Sequence, residues 1–199
     1  MFKFLYSLHS NETNDLPEGF DGVEIQAGGS SQSGVFGLRL PNIREAGDTA
    51  GEAAYVMLPA VPVAHVRPFL AEGRLILIEP TNAVRTAREM WQWMELMDHP
   101  AVKICWPIAW GEAIGELAVI VVPMLNSRLG AVRVVDSGPQ TLDAVRRLAG
   151  IGYGGYFVID PPPGEDRRAA AALILAAAQN VLAPSKPAAK VPPKGGQKL

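Results

Sequence analysis

Three apolar runs in this chain stop on an acid. RLILIE ends at Glu79, AVRVVD at Asp136 and YFVID at Asp160. In α/β folds a carboxylate at the C-terminal end of a buried strand stands where side chains from several strands meet, and there it can take up or release a proton. Gly150, Gly152, Gly154 and Gly155 turn the backbone before the last run, and three prolines stop it after Asp160. Glu24 lies within a further strand-like run, DGVEIQ, and His9 follows the first apolar run. Asp136 also reads as the start of a turn into Ser137-Gly138-Pro139, and Glu24 equally as a surface acid. Trp106 and Trp110 flank another strand end, where they either stack on a ligand or cap the core.

Other chemistry is missing from the sequence. The single cysteine, Cys105, excludes an internal disulfide and any CxxC metal site, and its apolar surroundings read as a buried, inert thiol. His9, His65 and His99 form no pair with metal-ligand spacing. There is no GxSxG elbow and no Cys/His nucleophile arrangement. The Gly/Ser stretch from Gly28 to Gly34 lacks both GK[ST] and GxGxxG, so it reads as a flexible surface loop.

A hydrophobic share of 48% over 199 residues is ample for one core. A net charge of −2 with a pI near 5.9 argues against a nucleic-acid partner. No uninterrupted apolar run reaches the ~18 residues of a membrane helix, and the N-terminal apolar stretch is too short for a secretory signal. A cytoplasmic protein with no membrane partner is expected. The sequence sets no oligomeric state.

The elements that must position these residues follow from periodicity. Strands are expected at Phe2–Tyr6, Asp21–Gln26, Ala54–Pro59, Arg74–Glu79, Val102–Trp106, Ala131–Asp136 and Tyr156–Asp160. Helices are expected at Val61–Ala71, where Pro68 weakens the pattern, and at Thr86–Met97, Thr141–Ala149 and Arg167–Leu182. Thr141 or Ser137 is the expected N-cap of the third. Leu117–Met124 fits either a strand or a crossover helix. Apolar strands alternating with helices predict a parallel sheet, and seven or eight strands fit a closed barrel better than an open sheet. The expected fold class is therefore α/β, an abbreviated (β/α)8 TIM-type barrel over residues 1–182, incomplete if residues 27–73 do not supply the remaining strands. Leu8–Phe20 has room for barely one helical turn. Residues 183–199, rich in Pro, Lys and Gly, are expected to be a disordered tail.

The strand ends carry a resemblance. GFDGVEIQ resembles the second strand of the xylose isomerase-like superfamily of TIM barrels, which contains sugar phosphate isomerases and epimerases, and RLILIEP, MDHPAVKICWPIAW, AVRVVD and GIGYGGYFVID resemble, in order, later strands of it. Order and spacing agree from about residue 74 to residue 182. Residues 1–26 match loosely and residues 27–73 poorly.

The resemblance implies a divalent metal at the C-terminal mouth, held by Glu, Asp, His and Glu from successive strands. Such a cation polarises a carbonyl or hydroxyl while neighbouring carboxylates move the proton. Glu79 matches the first Glu. The Asp position falls on Pro107, the His position on Arg133, and the last Glu on Asp160. Two of four ligands are lost, which leaves either no cofactor or a divalent cation (Mn, Mg or Zn) held weakly by Glu79 and Asp160. Arg133 between the two acids would act as a metal surrogate. An active enzyme of this kind would isomerise or epimerise a sugar or polyol by enediol-type proton transfer. Glu79 and Asp160 would be the acid/base pair, Arg133 would stabilise the oxyanion, and Glu24, His9, Trp106 and Asp136 would contact substrate. The competing expectation is a non-catalytic relative that binds a small polar ligand or a protein.

Overall fold

Strands that are apolar on both faces must be covered on both. The computed structural model meets that demand by closing eight parallel strands on themselves. It describes residues 2–9, 12, 16–26, 35–39, 53–164 and 166–183. The Gly/Ser stretch at 28–34 and the tail from residue 184 onward lie outside the described residues.

The strands are β1 (Lys3–Leu8), β2 (Gly22–Gln26), β3 (Val35–Arg39), β4 (Tyr55–Pro59), β5 (Leu75–Glu79), β6 (Val102–Pro107), β7 (Leu129–Val134) and β8 (Tyr156–Ile159). Each pairs with the next, and β8 returns to β1, so that Leu5 stands opposite both Gly22 and Val158. The helices are α1 (Val63–Val66, continued by a 3-10 turn over Arg67–Glu72), α2 (Ala87–Met97), α3 (Ile108–Ile114), α4 (Ala118–Leu125), α5 (Pro139–Gly150) and α6 (Arg167–Leu182). The ring is complete, and the shortening falls on the helical layer. Among the described residues no helix stands between β1 and β2, and the link from Gln26 to Val35 is shorter than the dozen or so residues that a helical crossover takes.

Two apolar layers hold the barrel. Leu5, Tyr55, Met57, Leu77, Cys105, Ala131 and Val158 fill its interior and are wholly buried. The alternate residues, among them Val56, Ile78, Ile104, Trp106 and Val132, point outward beneath Met90, Met94, Val121, Leu148 and Ile174 of the helices. Helix α2 starts at a capping box, in which Glu89 N donates to Thr86 Oγ1 at 3.1 Å and Thr86 N donates to Glu89 Oε2 at 2.8 Å. Among the described residues no single helix is long and apolar enough to cross a membrane.

Several elements depart from the sequence expectations. Strand β3 went unforeseen because Gly37 interrupts VFGLR. A Cβ on Gly37 would lie 2.1 Å from the Tyr55 ring, so the glycine makes room for that tyrosine inside the barrel. Helix α3 was also missed, because Gly111 breaks its pattern. A Cβ there would lie 2.5 Å from the Glu116 carbonyl oxygen. The ambiguous stretch at 117–124 is the crossover helix α4. Helix α5 begins at Pro139 with Gly138 as N-cap and no side-chain cap, rather than at Thr141 or Ser137. Strand β7 ends at Val134, which leaves Asp136 outside the sheet.

Candidate functional site

The pleat decides which side chains share the mouth. Alternate residues of each strand point into the barrel, so the last inward position of each strand lies at the C-terminal rim. Arg39 of β3, Glu79 of β5 and Arg133 of β7 occupy such positions, and Glu24 points inward from β2 two residues before its end. Asp160 follows β8 directly, tied to the sheet by its backbone N–H on the Val134 carbonyl at 2.8 Å.

Arg133 is the centre. Its Nε donates to Glu79 Oε1 at 2.8 Å, its Nη1 to Asp160 Oδ2 at 3.1 Å and its Nη2 to Glu24 Oε1 at 2.7 Å. Nη2 also lies 3.1 Å from Met57 Sδ. The side chain is 4% exposed. Burial works against its charge, but Glu24 and Glu79 outweigh burial and lift its pKa well above the ordinary arginine value. A lone buried cation would be costly, and three carboxylates around one planar guanidinium offset that cost through directed, charge-assisted bonds.

Each carboxylate has a second partner. The Tyr55 hydroxyl donates to Glu24 Oε2 at 2.7 Å. Burial, then the Glu24 charge, push the Tyr55 phenol well above its usual pKa. Arg39 donates to Glu79 Oε2 through Nε at 3.1 Å and Nη2 at 2.9 Å, and its Nη1 lies 3.7 Å from Asp160 Oδ2. The Cys105 thiol lies 3.8 Å from Glu79 Oε1, and burial followed by that charge raises its pKa well above normal. Arg167 at the start of α6 donates Nη2 to Asp160 Oδ1 at 2.8 Å and Nη1 to Glu12 Oε2 at 2.5 Å. Its Nε donates to the Pro161 carbonyl at 2.9 Å. Tyr6 donates its hydroxyl to Glu12 Oε1. His9 Nε2 lies 3.2 Å from Asp160 Oδ1. Among the described residues no buried side-chain nitrogen or oxygen lacks a hydrogen-bond partner.

Of the residues singled out from the sequence, Glu79, Asp160, Arg133, Glu24 and His9 converge. Glu24 is 1% exposed, so the reading of it as a surface acid does not hold. Pro107 ends β6 opposite Arg133 in the register, which puts the lost ligand position on the same rim. Two residues do not belong. Trp106 points outward into the strand–helix layer and is 1% exposed, so it packs against the core and has no access to a ligand in the mouth. Asp136 is exposed beyond β7, where it accepts from Gly138 N at 2.8 Å and opens the turn into α5.

Arg39, Arg167, Glu12 and Tyr55 were not foreseen. Arg39 alone carried a signal, as the only charge in the run VFGLRL.

The donor set fits a divalent metal poorly. The point between Glu24, Glu79 and Asp160 is taken by a guanidinium, and a permanent cation repels a second one. Among the described residues no three His, Cys, Asp or Glu side chains are grouped as a metal requires. The solvent side of the network presents Arg39 and His9, whose side chains are 33% and 32% exposed, while the carboxylates lie deeper.

No family model matches the sequence, and no curated protein does. Solved structures do share the fold. The 3-keto-D-glucoside 4-epimerase YcjR from E. coli superposes with a TM-score of 0.64 at 13% identity, over 92% of this chain and 99% of that one. A D-psicose 3-epimerase, crystallised in the presence of D-fructose, gives 0.66 at 12% identity, over 92% and 97%. A sugar phosphate isomerase/epimerase from Parabacteroides distasonis gives 0.61 at 12% identity, over 83% and 85%. The chain has the fold of the xylose isomerase-like TIM barrels.

Proposed function

We propose that this protein is a metal-independent relative of the sugar isomerases and epimerases, one that receives a sugar or polyol at the barrel mouth and binds it without turning it over. The observation that carries this reading is Arg133. One guanidinium bonds Glu79, Asp160 and Glu24 at once, so the carboxylates that would face a cation and a substrate are engaged by a fixed side chain. Glu79 holds two guanidinium groups, and a carboxylate committed in this way has little freedom to act as a proton carrier. The groups left facing solvent are Arg39, a hydrogen-bond donor, and His9, whose ring nitrogens donate or accept according to tautomer. The hydroxyl groups of a polyhydroxylated ligand can partner both.

A second reading rests on a different contact. His9 beside Asp160 is a partly exposed imidazole 3.2 Å from a carboxylate, a pair placed to pass a proton to or from a bound substrate. In that case Asp160 with His9 carries enediol-type proton transfer, and Arg133 stabilises the oxyanion.

The readings separate in one experiment on the full chain. Ketoses, inosose-like polyols and their phosphates are screened for thermal stabilisation and for turnover, with and without chelator. Stabilisation without turnover, unaffected by chelator, supports the binding protein. Turnover that is lost in His9→Ala supports the second reading. Turnover that requires added divalent metal contradicts both.

A further inference from the structure

Parallel barrels that bind phosphate often do so beside their last two strands, where backbone N–H groups of the following loops and a helix N-terminus receive the anion. In this chain those places are already filled. The loop after β8 runs Asp160-Pro161-Pro162-Pro163, and three successive prolines have no N–H to give. Asp166 then caps α6, its Oδ1 accepting from Ala169 N at 2.8 Å. After β7, Asp136 Oδ1 accepts from Gly138 N at 2.8 Å, and α5 opens on Pro139, again without an N–H. At the start of α2, Glu116 Oε2 accepts from Ala87 N at 2.7 Å. An anion at any of these helix starts would meet a carboxylate of the chain.

The mouth itself has no spare positive charge. Arg39, Arg133 and Arg167 are bonded there to Glu12, Glu24, Glu79 and Asp160, so carboxylates outnumber guanidinium groups in the network. What it offers a ligand is two polar groups on the same carboxylate. His9 Nε2 lies 3.2 Å from Asp160 Oδ1, and Arg39 Nη1 lies 3.7 Å from Oδ2. Asp160 is bonded by two guanidinium groups and presents lone pairs alone, so the His9 ring proton belongs on Nε2 and Nδ1 is left as an acceptor. Arg39 Nη1, beyond hydrogen-bond distance of Oδ2, has N–H groups to donate.

We propose that the mouth takes an uncharged sugar or polyol and rejects phosphate esters and sugar acids, an inference that rests on the binding reading above. Two neighbouring oxygens of the ligand meet the site. One is a hydroxyl that donates to His9 Nδ1, and the other accepts from Arg39.

Thermal melting of the full chain tests the proposal. The ketose and polyol panel, D-fructose and myo-inositol included, is run beside the phosphate ester of D-fructose, D-glucuronate and inorganic phosphate at equal concentration and ionic strength. The uncharged compounds are expected to raise the melting temperature, and the anions to need at least about tenfold more for the same shift. Added sodium chloride leaves the uncharged ligand's shift in place. His9→Phe, with unchanged circular dichroism, loses most of it. An anion that matches or exceeds the uncharged compounds overturns this inference and leaves the binding reading standing. A shift undiminished in His9→Phe overturns the placement of the ligand on His9. No shift with any compound overturns the binding reading, and this inference falls with it.

Discussion

Arg133 on β7 and Glu24 on β2 meet across the barrel at 2.7 Å, although neither strand neighbours the other in the sheet. The bond spans the barrel and closes its upper end with charge where the layer below is closed by Leu77, Met57 and Val158. The mouth therefore depends on one side chain reaching several strands at once.

Replacing that side chain is expected to cost more than one salt bridge. Arg133→Met keeps the length and removes the charge, leaving Glu24, Glu79 and Asp160 facing one another in a buried site. Loss of one partner from a buried ionic group costs about 3–5 kcal/mol, and like charges left close together add to that. Urea denaturation should show the loss. A variant within about 1 kcal/mol of wild type would mean that the network contributes little.

Gly37 and Tyr55 form a linked pair beneath Glu24. Tyr55→Phe removes one hydrogen bond to a carboxylate that keeps Arg133, an expected loss of about 1.5–3 kcal/mol. Gly37→Ala drives a methyl into the Tyr55 ring and should cost at least as much, since the overpacked ring has to leave its place. Combining Gly37→Ala with Tyr55→Ala opens the space, so the alanine at 37 should cost much less there than alone. Additive losses in denaturation would break the link.

Much of the mouth was legible in the sequence because strand-end carboxylates have a local signature. Glu79 and Asp160 each close an apolar run, and Arg133 is the one charge inside another. Strand β3 and with it Arg39 stayed hidden, because the glycine that admits Tyr55 looks like a chain breaker until its neighbour is known. Arg167 and Glu12 are joined only by folding, at a sequence separation of 155. Trp106 was placed at a strand end, but a strand end has two faces, and an adjacent pair of apolar residues does not say which of them points inward.

All four tyrosines are expected to resist ionisation in the folded protein. Burial raises each: Tyr6 with help from Glu12, Tyr55 from Glu24, Tyr153 from Cys105, and Tyr156 by burial alone. In the unfolded chain they ionise near pH 10. The folded state thus holds protons that the unfolded state gives up. The tyrosines' contribution to stability is complete below about pH 10 and is lost as pH rises beyond it. Tyrosinate absorbance should appear together with loss of circular dichroism. Four tyrosines titrating near pH 10 in a folded protein would contradict this.

Cys105 should be silent in the native state. Its thiol is buried inside the barrel, and burial and Glu79 keep it protonated. Ellman's reagent is expected to label it only after denaturation, at the rate of unfolding. Prompt labelling of the native protein would show that the barrel interior opens readily.

Metal analysis of the native chain, purified without chelator, bears most directly on Arg133 as the stand-in for a cation. The expected result is far less than one equivalent of any transition metal, with a melting temperature unchanged by chelator. One manganese, zinc or other transition-metal ion per chain would contradict it.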